Sequence, residues 1–189
     1  MAQVEPIRDK KQLRHLARYW FKRSNYRNYT MIVLGVHTAL RIGDLLSLSW
    51  DDVYDEELGE FRSHITLIER KTGKEKVIAL SDQALKALRL YYPYRKGKFI
   101  FASNRKCEKA ISRVQAWRIV HTAVKAIGIG GKIACHSLRK TFGYHAWIKG
   151  ISPVIIMDIY NHSNYEVTRR YLGVSQDDRD KVYLGMDLF

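Results

Sequence analysis

Only two cysteines, Cys107 and Cys135, occur in the 189 residues, and neither is paired at metal-binding spacing. That excludes a disulfide framework and a cysteine-based zinc site, and it fits reduced thiols in a cytosolic protein. Long apolar runs are missing too. The longest, Met31 to Leu40, is too short to span a bilayer and contains His37. No signal peptide, internal repeat, low-complexity tract or obvious linker interrupts the chain. A glycine-rich phosphate loop and a metal-ligand cluster are also missing, so no cofactor and no metal are expected. Acidic residues are scarce beside basic ones: 19 Asp and Glu stand against 33 Lys and Arg, a formal net charge of +14. Such an excess on a folded chain favours a polyanionic partner, nucleic acid first, although ribosome-associated and membrane-surface proteins share the balance. The expectation is a soluble, cytoplasmic protein with no membrane partner.

What the chain does contain is enough apolar residue, 46%, for one sizeable core. After a short polar lead-in over residues 1–8, helical spacing recurs from Asp9 to Lys22 and from Tyr26 to Leu40, with Asp9 placed to cap the first. Arg41-Ile42-Gly43-Asp44 breaks that pattern before Leu45, Leu46 and Leu48 resume it. The period then changes. His64 to Ile68 and Lys76 to Leu80 are rich in β-branched residues, and Gly73 supplies the turn between them, which predicts a β-hairpin with a basic tip. Ser81 caps a further helix, and Phe99 to Phe101 reads as a short extended piece. Amphipathic spacing predicts more helices over 112–127, 137–149, 153–160 and 164–171, with Pro153 suited to a first turn. The predicted class is mainly α with a small antiparallel β-hairpin sheet, in one domain over 1–173 followed by a tail over 174–189.

The chemistry concentrates between Cys135 and Leu172. His136 and Arg139, three apart on a helix, face the same way. His162 lies across a short capped helix from Tyr171, so two imidazoles, a guanidinium and a phenol can share one small volume. A phosphodiester gains negative charge at its pentacoordinate transition state, and arginines hold its oxygens better than lysines do. Arg139 is one such arginine. Arg41, at the helical interruption, is the other, with Asp44 placed to orient it. A phenol, with an ordinary pKa of about 10, needs neighbouring cations and a base to become a nucleophile. A leaving hydroxyl needs a proton back, and Lys71 on the hairpin tip can deliver one. Taken singly, each residue has an ordinary structural reading: an arginine paired with Asp44, a solvated turn lysine, a helix-start histidine, one of 12 tyrosines. The ordered set carries the case.

That set resembles the tyrosine recombinase (phage integrase) family from about Thr38 to Leu172. Thr38 to Leu48 is similar to the family's first motif, with Arg41 its catalytic arginine and Asp44 its acidic partner. Arg70-Lys71-Thr72-Gly73-Lys74 resembles the hairpin that bears the catalytic lysine. His136-Ser137-Leu138-Arg139 resembles the second motif, Asn161-His162-Ser163 the third, and Tyr171 falls at the nucleophile position. Two departures stand out. Asn161 replaces the glycine usual before the third-motif histidine, and asparagine tolerates the left-handed conformation a glycine supplies. No N-terminal core-binding domain precedes the motifs, which leaves open an excised catalytic domain or a short member resembling fimbrial phase-switch recombinases.

The resemblance implies a site-specific recombinase that cuts and rejoins double-stranded DNA through a 3′-phosphotyrosine intermediate. It implies a tetramer on two duplexes and admits accessory DNA-bending proteins, with the protein at the nucleoid. Arg41, Arg139 and His162 would hold the phosphate, His136 would assist proton transfer and Lys71 would be the general acid. Arg70, Lys74, Lys76 and Lys140 are the expected DNA-binding cations, and their contacts should weaken steeply with salt. The tail either docks on a neighbouring protomer or packs on its own domain. The rival readings are a relaxing topoisomerase of the same chemistry, a catalytically silent DNA-binding module of the same fold, and an RNA-associated protein.

Overall fold

The apolar run of Met31 to Leu40 becomes the axis around which the chain winds. In a computed structural model, which describes residues 4–172, 174 and 176–186, it forms most of a helix buried on nearly every side. In chain order the elements are α1 (Lys10–Phe21), α2 (Tyr26–His37), α3 (Ile42–Ser47), β1 (Tyr54–Asp55), β2 (Glu60–Phe61), β3 (His64–Ile68), β4 (Glu75–Ala79), α4 (Asp82–Tyr91), α5 (Arg113–Ile127), α6 (Cys135–Ile148), α7 (Pro153–Tyr160), α8 (Tyr165–Leu172) and α9 (Gln176–Gly185). α2 buries Met31, Ile32, Val33 and Leu34 together with Asn28 and Thr30. A helix without a polar face belongs at the centre of a bundle, and α1, α4 and α6 pack around this one. The buried Thr30 hydroxyl is satisfied by donating to the Ala87 carbonyl at 3.0 Å.

Local chemistry sets the element boundaries. Asp9, Asn25, Ser81, Ser112 and Ser152 each accept a backbone N–H from the first turn of the helix that follows. Pro153 occupies the first turn of α7, where its missing N–H costs nothing. β3 and β4 pair antiparallel, with Ile65 opposite Ile78 and Leu67 opposite Lys76. The class is therefore mainly α with a small antiparallel hairpin sheet, as the periodicity indicates. The second pair, β1 with β2, is only two residues per strand, too short to give an alternating pattern. Phe99 makes a single bridge to Ser49 rather than a strand.

The lead-in over residues 1–8 is not merely polar. Ile7 is 1% exposed, and its N–H donates to the Thr141 hydroxyl at 2.9 Å. Glu5 donates to the Lys132 carbonyl at 3.0 Å, so the described part of the lead-in straps across α6. The tail contains a helix, α9, that the mixed composition of 174–189 does not reveal. Among the described residues no helix is long and apolar enough to cross a membrane.

Two apolar clusters result. The main one is centred on α2, and a smaller one joins Ala39, Ile156, Tyr160 and Leu172 with Phe142, Trp147 and Tyr171 packed against it. At the seam Arg139 lies against the Tyr160 and Tyr171 rings of the smaller cluster. That seam is tight at Gly143, on α6, where an added Cβ would sit 2.4 Å from the Tyr160 hydroxyl and 3.0 Å from its ring. Tyr160 cannot retreat, because it is fully buried and its hydroxyl donates to the Arg139 carbonyl at 2.6 Å. We expect Gly143→Ala to lower stability by about 1–3 kcal/mol through overpacking. Urea unfolding of the variant beside wild type checks it, and an unchanged midpoint would refute the tight seam.

Candidate active site

The β3–β4 hairpin presents two faces. Ile65, Leu67 and Glu69 alternate inward from one side, and Lys76, Ile78 and Leu80 from the other. The last inward position before the turn on each strand is therefore charged. Glu69 is 0% exposed and Lys76 is 8% exposed, with Lys76 Nζ 3.8 Å from a Glu69 oxygen. Lys76 also donates to the Ile159 carbonyl on α7. Burial, then the neighbouring Arg139 charge, pushes the Lys76 ammonium down to about 8. Lys71, at the tip, is exposed.

Arg41 stands just before α3 and points its guanidinium at Glu69, Nη1 to Oε1 at 2.8 Å. These two atoms are close but out of line, so neither has a hydrogen-bond partner among the described residues. Burial alone would raise the Glu69 carboxyl. The hydrogen bond from Asn161, the adjacent Arg41 guanidinium and the hydrogen bond from Thr72 outweigh that and hold it below its usual range. Arg139 is 1% exposed. It donates to the Ala39 carbonyl and, at 2.9 Å, to the Tyr160 carbonyl, while its buried Nε has no partner among the described residues. Its guanidinium lies 4.4 Å from the Tyr160 ring centre and 5.7 Å from that of Tyr171, within cation–π range.

Tyr171 is flanked by both imidazoles. Ring centres are 5.0 Å apart to His136 and 4.6 Å to His162. Thr168, buried on α8 one turn before Tyr171, meets His162 Nδ1 at 3.0 Å, which leaves Nε2 as the nitrogen available to the site. Burial first, then the charge of Arg139, brings both imidazoles down to about 4, with Lys140, Arg41 and Lys71 adding to the effect on His136. Both are neutral at pH 7 and able to take a proton.

The structure thus brings Arg41, His136, Arg139, His162 and Tyr171 together, with Lys71 close enough for its charge to reach His136. Three expectations need correction. Asp44 is not the carboxylate of Arg41. It accepts the Arg70 backbone N–H at 3.1 Å and so ties α3 to the hairpin, while Arg41 pairs with Glu69. Lys76 does not track DNA from the surface, because the pleat turns it inward with Ile78 and Leu80. Lys140 is buried as well. It donates to the Val4 carbonyl at 2.9 Å and lies 5.7 Å from the Tyr171 ring centre, since the N-terminal strap covers that side of α6. Arg70 and Lys74 remain exposed.

Glu69, Tyr160 and Thr168 escaped the sequence reading. Period-two alternation is the signal for Glu69, since Ile65, Leu67 and Glu69 share a face. For Thr168 it is helical spacing, three residues before Tyr171. Tyr160 has no local signal, because its part depends on the fold bringing α6 and α7 together.

Residues 8–177 match the phage integrase family. The probable integrase/recombinase YoeC of Bacillus subtilis is 33% identical over 184 residues, which are 95% of this chain and 95% of that one. The tyrosine recombinase XerA of Pyrococcus horikoshii is 27% identical over 154 residues, 80% of this chain but only 52% of that one. In fold, the crystal structure of XerA recombinase matches with a TM-score of 0.79 at 22% identity, covering 100% of this chain and 68% of that one. XerH site-specific recombinase bound to a palindromic difH substrate, in a post-cleavage complex, matches with a TM-score of 0.78 at 15% identity, covering 96% and 53%.

The depressed imidazoles have a consequence for stability. An imidazole of the unfolded chain takes up a proton near pH 6.5, whereas His136 and His162 in the folded site do so only near 4. Between those values the unfolded chain binds more protons, so stability falls as pH falls through that window. We expect the urea midpoint to drop from pH 7 to pH 5, and to drop less in a His136→Gln/His162→Gln double variant. Some slope will remain, because burial also holds His37 and His145 low. Equal slopes in the two proteins would contradict the assignment.

Proposed function

The chain belongs to the phage integrase family and is a tyrosine-recombinase-type enzyme of DNA strand breakage and rejoining, and we propose the following division of labour at its site. Tyr171 attacks the scissile phosphate of double-stranded DNA. The tyrosine oxygen–phosphorus bond forms, the bond to the 5′ oxygen breaks, and a 3′-phosphotyrosine with a free 5′-hydroxyl results. Attack by a partner strand's hydroxyl reverses the step, so bond energy is conserved. Arg41 and Arg139 hold the non-bridging oxygens, and His162 does so through Nε2. The neutral His136 assists removal of the Tyr171 proton, and Lys71 protonates the leaving oxygen.

One observation carries this reading: the Tyr171 ring lies between two neutral imidazoles and beside a buried guanidinium whose Nε has no partner among the described residues. An anionic phosphate is the natural complement of such donors. Arg70 and Lys74 are the surface cations that support backbone contacts with the duplex, at the nucleoid. The exposed Val182, Tyr183, Leu184 and Met186 on and just after α9 are left uncovered by their own domain, which supports docking of residues 174–189 on a neighbour within a tetramer. Leu188 and Phe189 lie outside the described residues.

Covalent trapping tests the reading. A labelled pool of nicked duplexes with randomised arms is incubated with wild type and with Tyr171→Phe, then denatured. We expect a slow-migrating adduct with wild type alone and DNA retention by both proteins. Lys71→Ala should form the adduct more slowly by roughly a hundredfold or more. Retention without any adduct in wild type would overturn the assignment of Tyr171.

A further inference from the structure

Asn161 does more than occupy a left-handed position. It caps α7 with φ +50° and ψ +42°, a conformation that glycine would meet at lower cost. What asparagine adds is an amide. Its Nδ2 donates to Glu69 Oε2 at 3.0 Å, and the same oxygen accepts the Thr72 hydroxyl at 3.0 Å. Thr72 belongs to the tip that carries Lys71. The main chain of Glu69 also closes that tip, its N–H donating to the Lys74 carbonyl at 2.9 Å and its carbonyl accepting from Gly73 at 2.8 Å. Lys76 reaches across in the other direction, to the Ile159 carbonyl. Two side-chain links of opposite sense therefore join the hairpin to the C-terminal end of α7 and its cap, immediately before His162.

We infer that Asn161 is a positioning residue which, through Glu69, holds the Lys71-bearing hairpin tip in register with the helix end that presents His162. The inference rests on the reading of Lys71 as general acid. Glu69 keeps Arg41, Lys76 and Thr72 when the amide is removed, so the hairpin stays folded while its tip gains freedom. Lys71 then meets the leaving 5′ oxygen less often in the right geometry. Proton delivery suffers, whereas phosphate binding by the arginines does not.

Asn161→Gly is the diagnostic variant, because glycine accepts φ +50° without strain and the α7 cap persists. Hydrogen–deuterium exchange of the peptide spanning 69–76 reads the anchoring without any substrate. We expect faster exchange there than in wild type, and unchanged exchange would overturn the inference. The second readout is single-turnover adduct formation on a duplex recovered by wild type in the trapping experiment, at saturating protein. With an ordinary phosphodiester the rate should fall by roughly tenfold to a hundredfold. With a 5′-bridging phosphorothiolate the leaving thiolate departs without a proton, and the deficit should vanish. A deficit that persists on the sulfur substrate would show that Asn161 does not act through Lys71. Lys71→Ala serves as the control: if sulfur fails to restore it, the general-acid reading of Lys71 falls, whatever the exchange data say of the anchor.

Discussion

Burying the guanidinium of Arg139 is the constraint on which the rest of the site depends. An arginine cannot shed its proton to escape burial, so carbonyl oxygens must meet it. Two do, those of Ala39 and Tyr160, just past the end of α2 and at the last residue of α7. Both lie at the negative poles of helix dipoles, where a cation is favoured. Ala39 takes φ +55° and Asn161, directly after Tyr160, takes φ +50°. The chain thus accepts two unfavourable backbone conformations beside the carbonyls that hold this side chain. Arg139 also rests on the Tyr160 ring, and Tyr160 returns a hydrogen bond to the Arg139 carbonyl. The large core around α2 and the small cluster beneath α7 and α8 are joined through that reciprocal contact. Removing the guanidinium would leave those carbonyls facing a void, so a truncation at Arg139 would disturb the fold as well as the chemistry.

Burial and the same concentration of positive charge together set the state of the free site. Burial first, then the charges of Arg139 and Arg41, disfavour an imidazolium at His136 or His162, and both rings stay neutral. A phosphate bound as proposed would offset part of that local field. Its charge would make protonation of the imidazoles easier at the step in which Tyr171 is proposed to give up its proton. On that proposal, proton acceptance would depend on substrate without any moving part.

The sequence disclosed the motif residues because their types and order are unusual together: two arginines, two histidines and a tyrosine in fixed succession with a basic hairpin between them. Helices were legible for the ordinary reason that apolar spacing and caps such as Asp9, Ser81 and Ser112 mark them locally. Partnerships were not. Asp44 looked like the partner of Arg41 because it is near in sequence, but α3 turns it toward the hairpin backbone, while Glu69 arrives from a strand distant in sequence. Lys140 looked like a surface cation because nothing local says that the N-terminal strap crosses α6 at that point. The second small sheet, with two residues per strand, is below the length at which alternation can be seen.

Lys76 is the instructive case, because its burial was written in the chain and could be overlooked only by weighing residue type above period. Val77 and Lys76 cannot both face the core of a two-stranded hairpin. Apolar bulk on the two faces, not number, decides between them: Lys76 shares its side with the larger Ile78 and Leu80, Val77 with the small Ala79 and with Glu75. The fold accordingly leaves Val77 62% exposed and takes the lysine in. A buried ion pair contributes little net stability against well-packed apolar groups, yet a buried charge stripped of its partner is costly, of order 3–5 kcal/mol. That asymmetry makes the pair a register device. A slip of one residue would flip an entire face, taking Lys76 away from Glu69, or Glu69 away from Lys76, Arg41 and Asn161, and leaving buried charge short of its partners. The penalty falls on the wrong registers rather than rewarding the right one, and the right one is the register that sets Lys71 at the tip.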